Sequence, residues 1–130
     1  MTESELLDIF RQYSIPTHRG IWVEFMPTDK FITELTLEFG VEFAGIFTMI
    51  DNHYFIYPGT SDSINIPIGA APKFEILLKH SHPSGTAMPS IHDINWLIDA
   101  QQDGSPQKKS IILPSGKKRI TFNRNSPFLK

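Results

Sequence analysis

Cysteine is absent from this chain of 130 residues, which excludes disulfide staples and every thiolate metal site. Long hydrophobic runs are missing as well. No stretch approaches the roughly 20 apolar residues that a membrane-spanning helix needs. Nor does charge of one sign prevail: 12 Lys and Arg stand against 14 Asp and Glu, a net charge of −2. No global field therefore draws the chain to nucleic acid or to an anionic membrane. The first residues, Met1-Thr2-Glu3-Ser4-Glu5, lack the basic and apolar regions of a signal peptide. These absences set the expectation of a cytoplasmic protein with no nucleic-acid and no membrane partner. There is no internal repeat and no low-complexity segment.

What the chain does have is a 40% hydrophobic content, enough for one compact domain with a core, residues 1–130. Leu6, Ile9, Phe10 and Tyr13 form a helical stripe over residues 3–13, which Pro16 ends. Ile21–Phe25 reads as a short strand. Thr28 is suited to cap a second helix whose face is Phe31, Ile32, Leu35 and Phe39, with Gly40 placed to stop it. Val41–Ile50, His53–Tyr57, Ser63–Ile68 and Phe74–His80 read as strands. Ser90 opens a helix to about Ala100, closed by Gly104-Ser105-Pro106. Ser110–Leu113 and Lys117–Phe122 make a hairpin around Pro114-Ser115-Gly116. The order predicts an α+β domain, a mixed β-sheet flanked by helices.

The strand ending at His80 runs into the most informative stretch, His80-Ser81-His82-Pro83-Ser84-Gly85, followed by Ser90-Ile91-His92-Asp93. Residues at i and i+2 of an extended segment project to one side, so His80 and His82 point together. Pro83 and Gly85 turn the chain. If Ser90 is an N-cap, Asp93 falls in the first helical turn, which can fold back over the strand end. Two imidazoles and one carboxylate then suit a single metal ion with an open fourth position, the arrangement of catalytic zinc. The plainer alternative is a pair of surface histidines beside an ordinary capping box formed by Ser90 and Asp93. The same ligand types also suit non-haem iron, although the strand succession is not that of a jelly roll.

The wording His80-Ser-His82-Pro-Ser-Gly, with Ser90 and Asp93 downstream, resembles the signature of the JAMM (MPN-plus) zinc metalloproteases. It is especially similar to their RadC-like bacterial branch. The family pattern also has a glutamate followed three residues later by glycine, matched here by Glu42-Phe43-Ala44-Gly45. The resemblance covers roughly Phe31 to Ala100. It implies a cytidine-deaminase-like JAMM/MPN core with Zn2+ bound by His80, His82 and Asp93. Glu42 would be the general base and Ser90 the hydroxyl that stabilises the oxyanion. The implied activity is peptidase or isopeptidase cleavage at the extended C-terminal tail of a ubiquitin-like protein or of a peptide. Such a tail can bind by adding as a strand. The short link between the Asp93 helix and the last hairpin fits a small processing enzyme better than a linkage-selective one. The alternative within the same fold is a non-catalytic, metal-stabilised binding module. Oligomeric state stays open.

Glu42 has two rivals for the role of base, Glu24 and Glu38. Both read more simply as solvated charges, whereas an ionised glutamate in an apolar strand needs a partner. His92 would point away from Asp93 on the helix, and His18 and His53 lie in turn-like, solvent-facing contexts. Trp22 and Trp96 read as core or partly buried packing residues. The cations Lys108, Lys109, Lys117, Lys118, Arg119 and Arg124 read as a solvated hairpin face.

Overall fold

A computed structural model describes residues 1–12, 20–50, 52–60 and 75–129. The elements are α1 (Glu3–Gln12), β1 (Ile21–Val23), α2 (Asp29–Phe39), β2 (Phe43–Thr48), β3 (His53–Pro58), β4 (Glu75–His82), α3 (Ile91–Gln102), β5 (Lys109–Pro114) and β6 (Ile120–Asn123). Among the described residues the strands form one mixed sheet in the order β1-β3-β2-β4-β5-β6. Every neighbouring pair is antiparallel except β4 and β5, which run parallel. A parallel pair requires a crossover, and α3 supplies it. No helix among the described residues is long and apolar enough to cross a membrane.

Local chemistry sets the helix ends. Thr2 and Glu5 exchange side-chain bonds with each other's backbone N–H at the start of α1. Thr28 caps α2 by accepting from the Phe31 N–H, and Gly40 closes that helix as expected. Leu6 and Phe10 of α1 and Phe31, Ile32 and Leu35 of α2 bury their stripes against Val23, Phe43, Ile56 and Leu113. The opposite sheet face carries α3, where Ile94 and Leu97 pack on Ile112 and Phe122. The result is a sheet with α1 and α2 on one side and α3 on the other.

Several boundaries differ from the sequence reading. β2 begins at Phe43 and stops at Thr48, because Met49 and Ile50 turn outward into solvent. β1 ends at Val23 rather than Phe25. β6 begins only at Ile120, since Lys117, Lys118 and Arg119 are solvated loop residues. The strand expected at Ser63–Ile68 lies outside the described residues. Trp22 is not in the core: it is 56% exposed and leans on Phe55.

One irregularity decides where the functional side chains point. In the β2–β4 ladder Gly45 faces Lys79 but Ile46 faces Leu77, so Leu78 is an extra residue on β4. Such a bulge shifts the alternation by one. Leu77 and His80, three apart, therefore share the α3 face, while Lys79 and Ser81 turn towards α2. Lys79 reaches Asp29 and the Pro27 carbonyl there. Ser81 is fully buried, accepts from the Phe43 N–H at 2.8 Å, and bonds the Thr36 hydroxyl. Ser81→Ala leaves a buried N–H and a buried hydroxyl without that partner. The expected cost is about 1–3 kcal/mol, read as a lower urea midpoint with an unchanged slope.

Candidate metal centre

The site is built at the C-terminal end of β4, where the strand's last residues meet the first turn of α3. Ala44 of β2 faces His80, and His80 faces Ile112 of β5. All three belong to the sheet face that α3 covers. Continuing the Ala44–His80 register outward by two residues sets Glu42 across from His82. Glu42 precedes β2, but its backbone is held in the sheet by exchanges with Thr60 and Gly59 at 2.7 Å. Its side chain is buried, with the residue 5% exposed.

The turn after β4 holds His82 in place. The His82 carbonyl accepts from Gly85 at 3.1 Å and from Ser115 at 3.2 Å. Gly85 has φ +77 and lies against the Ser115 carbonyl, a conformation and a closeness that disfavour any side chain. Gly45 is a second close approach, since a Cβ there would meet the Pro27 ring at 3.3 Å.

Three donors converge at this point. His80 Nε2 lies 3.1 Å from His82 Nε2. Asp93 Oδ1 is 3.1 Å from His80 Nε2, and Asp93 Oδ2 is 3.4 Å from His82 Nε2. The His82 Nδ1 sits 2.8 Å from the Thr86 carbonyl. A carbonyl only accepts, so Nδ1 carries the hydrogen and the neutral ring turns its Nε2 lone pair inward. This is how an outer hydrogen bond orients a metal-binding imidazole. His80 is 1% exposed and packs edge-on against Phe122. Its Nδ1 has no hydrogen-bond partner among the described residues.

Electrostatics follow from these contacts. Burial opposes the charged form of His82, but Asp93 and the Thr86 carbonyl outweigh it and raise the pKa above the ordinary 6.5. Burial would push Asp93 up, yet His80, His82 and the Ser90 N–H hold it well below the usual carboxylate range. Without metal, the Asp93 contribution to stability is present above its ordinary 3.8 and is lost as pH falls through the lowered folded value. The His82 contribution runs the other way: it is complete below 6.5 and disappears as pH rises through the raised folded value.

Among the described residues, the group in which one ligand atom from each residue comes together within 4.8 Å is Glu42, His80 and His82, and Asp93 lies against both imidazoles. Tetrahedral zinc with bonds of about 2.0–2.1 Å keeps its ligand atoms about 3.3 Å apart. The two imidazole nitrogens lie 3.1 Å apart, close to that value, while Asp93 meets them with different oxygens, Oδ1 at 3.1 Å from His80 and Oδ2 at 3.4 Å from His82. Glu42 stands beside the set, with a carboxylate oxygen and a nitrogen from each of His80 and His82 all within 4.8 Å of one another. Two neutral imidazoles and one carboxylate would leave a divalent ion with net positive charge, and a neighbouring carboxylate would either close the site as a further ligand or, kept off the ion, act on a bound water as a base.

Of the residues singled out from the sequence, His80, His82, Asp93 and Glu42 thus meet. Ser90 is adjacent and forms a reciprocal capping box with Asp93: its hydroxyl accepts from the Asp93 N–H at 3.2 Å, and its own N–H donates to Asp93 Oδ2 at 2.8 Å. Ser90 therefore orients the aspartate, and its hydroxyl hydrogen stays available for a further bond. The rivals of Glu42 lie elsewhere. Glu38 pairs with Arg11, while Glu24 is exposed and 3.7 Å from His53. His92 is exposed on α3, and His18 lies outside the described residues. The Thr86 carbonyl and the bulge at Leu78 escaped the sequence reading. The consecutive apolar residues Ile76, Leu77 and Leu78 were the available signal, because they break strict alternation.

No protein-family model, curated protein or solved structure matches the chain.

Proposed function

We propose that this protein is a zinc-dependent peptidase or isopeptidase of JAMM type, with His80, His82 and Asp93 as ligands, Glu42 as general base and Ser90 as oxyanion donor. One observation carries the reading: two inward-facing imidazole nitrogens and a capped aspartate converge at 3.1–3.4 Å beside a buried glutamate. Zinc in this cradle would polarise the scissile carbonyl and lower the pKa of bound water to about 7. Glu42 takes the proton from the attacking water as its oxygen bonds to the amide carbon. As the C–N bond breaks, Glu42 returns that proton to the departing amine. The Ser90 hydroxyl donates to the oxygen on which negative charge develops. The substrate class is an extended peptide tail, of which the C-terminus of a ubiquitin-like protein is one example.

A non-catalytic, metal-stabilised module is the second reading. The closeness of Glu42 to both histidines favours it, since a fourth protein ligand would close the site. Metal content and cleavage of a panel of ubiquitin-like fusions, with and without chelator, separate the two. Zinc-dependent cleavage supports the hydrolase. Bound zinc with no cleavage of any fusion supports the module.

Ser90→Ala combines two effects. Loss of the cap costs about 1 kcal/mol of stability, and loss of the oxyanion donor slows the chemical step by about 10²- to 10³-fold. Steady-state kinetics should show the loss in kcat; a change confined to KM would reduce Ser90 to a helix cap.

A further inference from the structure

We infer that Gln107 is a positioning residue for the metal centre, holding the β4 bulge and the start of β5 in the register that aims His80 and His82 at Asp93. The inference rests on the zinc reading above. Gln107 lies in the link between α3 and β5, a segment whose only legible role in the sequence is to end a helix. It is 5% exposed, and its side-chain amide behaves like a strand residue. Oε1 accepts from the Leu77 N–H at 3.0 Å. Nε2 donates to the Leu77 carbonyl at 2.6 Å and to the Lys109 carbonyl at 2.9 Å. The Ser110 hydroxyl adds a second donor to the Leu77 carbonyl at 2.7 Å.

The place of these bonds gives them their consequence. Leu77 is the last regularly paired residue of β4 before the extra residue, Leu78. Its neighbour on the β5 side is not yet in the ladder, because parallel pairing starts at Lys79 and Ile111. Gln107 stands in for the missing strand. If the extra residue were absorbed, so that Leu78 paired with Gly45 and the bulge was lost, the residues beyond it would exchange faces, turning His80 and His82 towards α2 and away from Asp93. The backbone of Gln107 is tied at both ends. Its N–H donates to Ser105 Oγ at 3.2 Å, and its carbonyl accepts from Gln101 Nε2 of α3 at 2.9 Å. One residue thereby links the helix that carries Asp93 to the strand that carries both histidines.

The test compares purified wild type with Gln107→Leu, using zinc affinity by chelator competition and the visible spectrum of the cobalt(II)-substituted protein. Both are recorded well below the variant's own thermal midpoint, so that the folded state is measured. Gln107 touches no ligand, but a change of register would displace both histidines, so zinc affinity is expected to fall by at least the roughly 10-fold that loss of a direct outer partner costs, with an altered cobalt spectrum. A lowered midpoint with unchanged affinity and spectrum would make Gln107 merely structural and overturn the inference. Should Gln107→Leu fail to fold, Ser110→Ala decides. It removes one donor to the Leu77 carbonyl and should weaken zinc in the same direction, by less; no change overturns the inference. Failure of the wild type to bind zinc or cobalt would remove the parent reading and this inference with it, whereas an intact wild-type site with an unaltered variant removes the inference alone.

Discussion

On the zinc reading proposed above, His82→Ala is expected to empty the metal centre. Zinc content of the purified protein should drop from one equivalent per chain to nearly none, a loss larger than the 10- to 100-fold typical of an outer partner. The reason is that His82 supplies one of the converging donors, 3.1 Å from His80 Nε2, and the Thr86 carbonyl has already turned its Nε2 inward. His92→Ala is the matched control, because that imidazole is exposed on α3, and it should leave the stoichiometry unchanged. Full zinc occupancy in His82→Ala would remove His82 from the ligand set. Acid should reproduce the loss reversibly. Binding requires an unprotonated Nε2, and the raised pKa of His82 moves proton competition above the ordinary imidazole value of 6.5. Affinity measured by chelator competition should thus begin to decline above that pH, not below it.

Glu42→Gln has the second large effect, on turnover alone. The substitution keeps size and hydrogen-bonding capacity but cannot accept a proton at neutral pH. Removing a positioned general base costs about 10²- to 10⁴-fold in rate, or about 3–5 kcal/mol of transition-state stabilisation. Zinc content should stay at the wild-type level. Loss of zinc together with activity would make Glu42 a ligand and favour the closed, non-catalytic module. Normal cleavage by the variant would end its assignment as base. The burial of Glu42 opposite His82 is what makes this substitution more informative than any at Glu24 or Glu38, whose carboxylates are engaged far from the site.

How much of this was legible in the sequence varies with the range of the interaction. The α2 boundaries were readable because Thr28 and Gly40 act on their own first and last turns. The same holds for Ser90 and Asp93, whose capping box is a contact across three residues. His80 and His82 share a face because a strand alternates, and that too is local. The bulge is not local: Leu78 becomes an extra residue only through β2 on one side and the Gln107 amide on the other, thirty residues downstream. Ser81 likewise looks like a spacer between histidines until Phe43 and Thr36 come to meet it. Trp22 was misjudged because aromatic content does not reveal that its strand lies at the sheet edge. The α+β class and a mixed sheet followed from element order, whereas the strand order needed the pairing itself.

The most direct measurement is anomalous diffraction at the zinc edge from crystals of the protein supplied with one equivalent of zinc. A single peak is predicted at bonding distance, about 2.0–2.2 Å, from His80 Nε2, His82 Nε2 and an Asp93 oxygen, with the Glu42 carboxylate outside that distance. No peak among these side chains, or a peak bonded to Glu42 as well, would contradict the open three-ligand centre.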